Sequence, residues 1–172
     1  PASLTINFCK PKSAFAFIIS DTSLSVSLEP VPLPILIKAH PATDSAADIA
    51  MAEFEYSRSV AWFMDPIFKG HYPELALKVY GDNAPEVAPG DMEIIQGKLE
   101  FMGHDYYFRS FCSAEVPPRQ PECALGTTDM GWEIYPDGLT ELLLKLHADY
   151  DLPPIYITEN GMANADSVVN GE

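Results

Sequence analysis

Basic residues are scarce in this sequence. Lys and Arg number 10 against 25 Asp and Glu in 172 residues, giving a net charge of −15. So acidic a surface repels phosphate backbones and anionic headgroups, which argues against nucleic-acid and membrane-surface partners. Long apolar runs are absent too: none approaches the roughly 18 to 20 residues of a membrane-spanning helix. Cysteine is confined to Cys9, Cys112 and Cys123, an odd count at irregular spacing. That excludes a disulfide framework and a zinc-site spacing, and leaves reduced thiols in a cytoplasmic protein as the expectation. Histidine occurs only at His40, His71, His104 and His147, with no H-E-x-x-H pattern. No metal and no cofactor are expected.

What is present is an ordinary globular composition, 47% hydrophobic and 20% charged, in a length suited to one domain. Residues 1–23 stay unassigned. Within them Lys10 and Lys12 precede Ala14-Phe15-Ala16-Phe17-Ile18-Ile19, an order resembling a secretory leader, but no small-x-small cleavage pattern follows. Residues 24–172 read as one α/β domain. Residues 24–28 alternate apolar and polar as a strand does, and the prolines at 30, 32 and 34 make the next stretch extended or loop. Ser45 is placed to cap a helix, with Asp48 as its capping-box partner and Ala50, Phe54, Ser57 and Ala61 on one face. Asp65-Pro66 is expected to end or kink that helix. Pro73 opens a short helix to Tyr80, and Pro89-Gly90-Asp91 another to Gln96. Residues 101–107 read as a strand and 108–135 as a long irregular loop, a length often tied to function. After Pro136, Leu139, Leu142, Leu143, Leu146 and Tyr150 form one helical stripe. Pro153-Pro154 stops it, and Ile155-Tyr156-Ile157-Thr158 is a β-branched strand. Strands alternating with helices imply a parallel sheet with helical crossovers.

Ligands in such folds bind beyond the carboxyl ends of the strands. Glu159 falls there, followed by the turn residues Asn160-Gly161. On position alone it is either a solvated loop acid, the commoner case, or a catalytic group.

Four blocks bear on that choice. Ile157-Thr158-Glu159-Asn160-Gly161 resembles the nucleophile signature of glycoside hydrolase family 1, the β-glucosidase and β-galactosidase family. Residues 62–73 resemble its W-F-x-D-P-x-x-x-G-x-Y-P block, residues 101–107 its F-x-G-x-N-Y-Y strand and residues 130–139 its M-G-W-E-I-x-P-x-G-L block. The order and gaps are family-like, and the resemblance covers about residues 24 to 165. It implies a (β/α)8 TIM barrel that hydrolyses terminal β-D-glucosyl residues with retention, of which this chain holds about the fifth to seventh strands with their helices. Glu159 matches the nucleophile, Tyr107 the tyrosine that hydrogen-bonds it, and Trp132 an aromatic platform on the leaving-group side. Asp105 and Asn160 go with the substrate contacts, and a β-glucoside or oligosaccharide is the implied substrate. The chemistry agrees: a retaining mechanism needs an ionised carboxylate that attacks the anomeric carbon, a phenol donor favours the charged form, and an indole face suits a sugar's C–H face. Asp105 departs from the pattern, since the family usually has Asn there. The added like charge is expected to weaken catalysis where it faces the site.

Retention also needs a second carboxyl roughly 5 to 5.5 Å away as acid and base. The family carries it in a T-x-N-E-P block, which this sequence lacks. Ser27-Leu28-Glu29-Pro30 comes nearest but has no Thr-x-Asn, so Glu29 is not assigned the role. A whole barrel takes about 250 residues. The chain is therefore read as a fragment, inactive alone and expected to self-associate through unpaired sheet edges. Two other readings stay open: a catalytically inactive sugar-binding or scaffold fragment of the same barrel, and a 6-phospho-β-glycosidase.

Overall fold

The computed structural model of the chain describes residues 36–166. The strand expected at residues 24–28, the proline-rich stretch after it, Cys9 and Glu29 lie outside the described residues. In chain order the elements are β1 (Ala39–Pro41), α1 (Ala46–Tyr56), a π-helical turn (Ser57–Ala61), α2 (Trp62–Lys69), α3 (Glu74–Tyr80), a 3-10 turn (Gly81–Asn83), α4 (Asp91–Ile95), β2 (Met102–Tyr106), β3 (Ser110–Cys112), α5 (Asp137–Asp149) and β4 (Ile155–Asn160). Among the described residues the strands form two parallel pairs, β1 with β3 and β2 with β4. The β2–β4 pair is joined by the crossover that contains α5, as parallel neighbours require.

The alternation of β2 sets the layering. Met102, His104 and Tyr106 are buried, while Gly103 and Asp105 are only partly so. Met102 and Tyr106 pack with Leu142, Leu146 and Tyr150, alongside Val60, Met64 and Leu36. Leu142 and Leu146 are fully buried, and each buried leucine contributes about 1.5 to 3 kcal/mol. The stripe expected after Pro136 is thus the face that α5 lays on the core. Gly138 lets its first turn come close, because a Cβ there would sit 1.9 Å from the Tyr106 hydroxyl oxygen. Two tyrosine hydroxyls hold the end of α5: the buried Tyr150 donates to Asp65 Oδ1 at 2.8 Å and the half-buried Tyr56 donates to Asp149 Oδ2 at 2.8 Å. Burial, followed by the Asp65 bond, pushes the Tyr150 phenol well above its usual range. His104 is fully buried and neither ring nitrogen has a hydrogen-bond partner among the described residues. Burial pushes its pKa down, so the neutral ring is favoured.

Several local expectations need correction. Asp65-Pro66 does not end the helix, which runs to Lys69 and closes at Gly70. The π turn at Ser57–Ala61 already departs from the i→i−4 ladder, so the donor missing at Pro66 falls next to an altered stretch. Ser45 caps α1, its hydroxyl accepting from the Asp48 N–H at 3.1 Å, but Asp48 does not complete a capping box. Its carboxylate instead accepts from the Thr43 hydroxyl at 2.5 Å and from the Ala114 N–H at 2.6 Å. The Ala114 bond comes first among the causes that hold the Asp48 carboxyl below its usual range. Ala50 is exposed, because the buried ridge runs through Asp48 and Ala52 and then, within the π turn, Ser57, Val60 and Ala61. The stretch 108–135 is not wholly irregular: β3 lies within it and pairs with β1, Ala39 opposite Ser110 and Pro41 opposite Cys112. The short helices after Pro73 and Gly90 and the strand within residues 101–107 form where expected.

Candidate functional site

The site is built at the carboxyl ends of β2 and β4. The two strands start in plain register, Met102 opposite Ile155 and His104 opposite Ile157. The register then shifts, and Asp105 faces Glu159 while Tyr106 faces Asn160. Thr158 is the extra residue of this bulge. Bulges re-aim side chains beside functional sites, and this one carries Glu159 to the strand tip level with Asp105. The Thr158 hydroxyl donates to Asp105 Oδ1 at 2.5 Å, which ties the bulge to β2. The Asn160 amide donates to the Tyr106 carbonyl at 2.8 Å and fastens the end of β4.

Tyr107 follows β2 directly and donates its hydroxyl to Glu159 Oε2 at 2.5 Å. That bond, ahead of the negative charges of Glu159 and Asp105, raises the Tyr107 phenol above its ordinary value of 10.0. A phenol with a raised pKa keeps its proton, and so its hydrogen bond, to higher pH than a free tyrosine. Phenolate absorbance of the wild type minus Tyr107→Phe is expected to titrate above pH 10.0, and to return toward that value in a Glu159→Ala background. Titration of Tyr107 at the free-tyrosine value in both backgrounds would contradict the hydrogen bond.

Trp132 completes the cluster. Its ring lies 4.8 Å from Phe108 and 5.7 Å from Tyr107, centroid to centroid. A tight turn carries it: Gly131 N–H donates to the Thr128 carbonyl at 2.8 Å, with Gly131 at φ +77°, a left-handed conformation that glycine adopts freely. The Thr128 N–H donates to the Trp132 carbonyl at 2.8 Å and the Trp132 N–H to Thr128 Oγ1 at 3.2 Å. A shallow groove lies against Tyr107, Trp132, Asn160, Met130 and Met162. Tyr107, Glu159 and Trp132 are therefore together, with Asp105 and Asn160 on the same two strand ends. The amide of Asn160 is engaged by backbone.

Arg109 and Glu133 form a pair that no sequence motif marks. The Arg109 guanidinium donates twice to Glu133, Nε to Oε2 at 2.7 Å and a terminal nitrogen to Oε1 at 2.9 Å, and its central carbon sits 3.6 Å from the Tyr135 ring centre. The pair's only sequence signal is position: Arg109 stands two residues past Tyr107, and Glu133 follows Trp132 within its block. A second cluster ties α5 to β1. Glu141 accepts from Lys38 at 2.9 Å and from the Tyr135 hydroxyl at 2.8 Å, and lies 2.5 Å from His40 Nε2. Desolvation opposes ionisation of Glu141, but these three partners outweigh it and hold the carboxyl at about 2. No group of three or more His, Cys, Asp or Glu side chains suited to a metal occurs among the described residues.

Known proteins are similar to this chain in sequence and in fold. The family model of glycosyl hydrolase family 1 matches residues 19–172. The chain is 37% identical over 153 residues to a beta-glucosidase of Agrobacterium sp., covering 83% of this chain and 33% of that one. It is 37% identical over 138 residues to beta-glucosidase A of Acetivibrio thermocellus, covering 75% and 31%. Among solved structures, virulence factor SghA of Agrobacterium tumefaciens aligns with a TM-score of 0.69 at 36% identity, over 80% of this chain and 32% of that one. The family 1 b-glucosidase of Thermotoga maritima aligns with a TM-score of 0.68 at 34% identity, over 78% and 31%. The chain spans about a third of the length of the curated relatives it matches. Parallel strands with a helical crossover, the four sequence blocks and this match converge, and the chain belongs to glycosyl hydrolase family 1.

Proposed function

We propose that residues 24–172 are the nucleophile-bearing part, about the fifth to seventh strands, of a retaining β-glucosidase. The observation that carries this reading is the Tyr107 hydroxyl held 2.5 Å from the Glu159 carboxylate at the tip of β4, with Trp132 alongside. In the first step a Glu159 oxygen bonds to the anomeric carbon. The bond from that carbon to the leaving oxygen breaks, and an acid elsewhere in the complete protein gives the leaving oxygen its proton. In the second step water bonds to the anomeric carbon, the ester to Glu159 breaks, and the same acid/base group takes the water's proton. Tyr107 orients the carboxylate and steadies its charge, and Trp132 offers an aromatic face to the leaving group.

The test uses the complete reading frame that contains this chain. Exposure to 2-deoxy-2-fluoro-β-D-glucosyl fluoride is expected to inactivate the enzyme and to leave one fluoroglucosyl group on the peptide bearing Glu159. An enzyme that hydrolyses aryl β-glucosides but carries the label on another residue sinks the assignment. A protein that neither hydrolyses nor takes the label favours the scaffold reading. An enzyme active only on 6-phosphoglucosides favours the phospho-glycosidase.

Asp105 supplies a prediction with an unusual sign. It lies opposite Glu159 on adjacent strands, whose backbones are about 4.8 Å apart. The Asp105 carboxylate adds like charge to the strand end that carries Glu159. Asparagine keeps the Oδ1 that accepts from Thr158 and removes the charge. Asp105→Asn is therefore expected to raise kcat/KM on an aryl β-glucoside by about tenfold, a change of roughly 1.4 kcal/mol in barrier. An unchanged or lower kcat/KM in a folded variant would show that the charge does not reach the reaction.

A further inference from the structure

We propose that the Arg109–Glu133 pair is a positioning device for the leaving-group side of the site, which fixes Trp132 relative to Glu159 and so selects β-glucosides with flat aromatic aglycones. The inference rests on the reading of Glu159 as nucleophile and adds to it the residues that set aglycone choice.

Both members of the pair are sequence neighbours of the aromatic stack. Arg109 follows Phe108, whose ring packs on Trp132, and lies two residues beyond Tyr107, the hydrogen-bond partner of Glu159. Glu133 follows Trp132 directly. The pair therefore joins the strand end that holds the nucleophile's partner to the turn that holds the indole. Its geometry admits little slack. The two parallel N–H···O bonds of a guanidinium and a carboxylate have one register, and the Tyr135 ring lies against the guanidinium. The side chains of Arg109 and Glu133 are only 14% and 9% exposed, so sliding the turn would strand two poorly solvated charges. A second tether reinforces the first on the far side of the groove, where the Asp129 N–H donates to the Ala163 carbonyl at 2.9 Å beyond β4. What the pair holds in place is apolar and flat: Trp132 and Tyr107, with Met130 and Met162 bordering the same groove. Such a wall gains most from an aromatic leaving group and little from a short alkyl one.

The two chemical steps separate positioning from a general fold defect. The aglycone is present only in the first; the hydrolysis of the glycosyl ester never meets it. In the complete enzyme, Glu133→Gln is expected to lower kcat/KM for an aryl β-glucoside by about 10- to 100-fold, the scale of a misplaced binding surface. Methyl β-glucoside is expected to change little, and water is expected to release the trapped 2-deoxy-2-fluoroglucosyl enzyme at the wild-type rate. Arg109→Lys, which keeps the charge and loses the fork, is expected to follow the same pattern and carries the test if Glu133→Gln does not accumulate folded. Equal losses on both substrates and in the release rate would overturn the proposal in favour of a structural role, and so would wild-type selectivity in both variants. Wild-type enzyme that hydrolyses aryl glucosides but takes its label away from Glu159 would overturn the underlying reading instead.

Discussion

Glu159→Gln in the complete enzyme is expected to reduce kcat on an aryl β-glucoside by about four to six orders of magnitude, the scale seen when a covalent nucleophile is removed. The substitution is close to isosteric. Glutamine retains a side-chain oxygen that can accept from the Tyr107 hydroxyl, so the contact at 2.5 Å has a neutral replacement and Trp132 is untouched. What is lost is the negative charge and the ability to form an ester at the anomeric carbon. KM is therefore expected to move far less than kcat, because substrate binding draws on the groove walls and not on the attacking oxygen. Steady-state kinetics combined with a binding measurement for an unreacted glucoside separate the two. A loss of less than about tenfold would place the nucleophile elsewhere, and a rise in KM that accounts for the whole effect would make Glu159 a binding group.

The parts of this fold that were legible in sequence are those whose signal is local and long enough to repeat. The stripe from Leu139 to Tyr150 spans three turns, and α5 buries Leu142 and Leu146 on that face. The run Ile155-Tyr156-Ile157-Thr158 has the β-branched character of a strand, and Glu159 stands at its end. The parts that were not legible depend on partners far away in the chain. β1 and β3 are three residues each, too short to show any period, and each exists because the other pairs with it across about 70 residues. Pro41 would also argue against a strand, and is tolerated because β1 pairs on one side only among the described residues. Asp48 looked like half of a capping box. Its carboxylate serves a backbone N–H at Ala114, which no local pattern encodes. The candidate site divides in the same way. Motifs named Glu159, Tyr107 and Trp132, but not the bulge at Thr158 that aligns Asp105 with Glu159, nor the Arg109–Glu133 fork. Both arise from pairing between segments, which residue types alone do not encode.

Leu146→Ala is expected to produce the largest loss of stability among single changes on α5, about 3 to 5 kcal/mol. Leu146 is fully buried against Met102 and Tyr106 of β2 and beside Leu142 and Tyr150. Three carbons removed from that position leave a cavity between α5 and the strand that leads into Tyr107. The cavity cannot close cheaply, because neighbouring contacts hold the helix: Gly138 is pressed against the Tyr106 hydroxyl at one end, and the Tyr150–Asp65 hydrogen bond fixes the other. Leu144, two residues away on the same helix and 64% exposed, provides the control, and its replacement by Ala is expected to change stability by less than about 0.5 kcal/mol. Denaturant unfolding of the complete protein checks both through the midpoint at constant slope. Activity per folded molecule is expected to persist in Leu146→Ala, because the strand register and the Tyr107–Glu159 contact lie on the opposite face of β2 from the cavity. A variant that keeps its midpoint would show that α5 is not seated on this core. One that unfolds normally yet loses activity in the folded state would show that the helix contributes to the geometry of the strand tip as well as to its support.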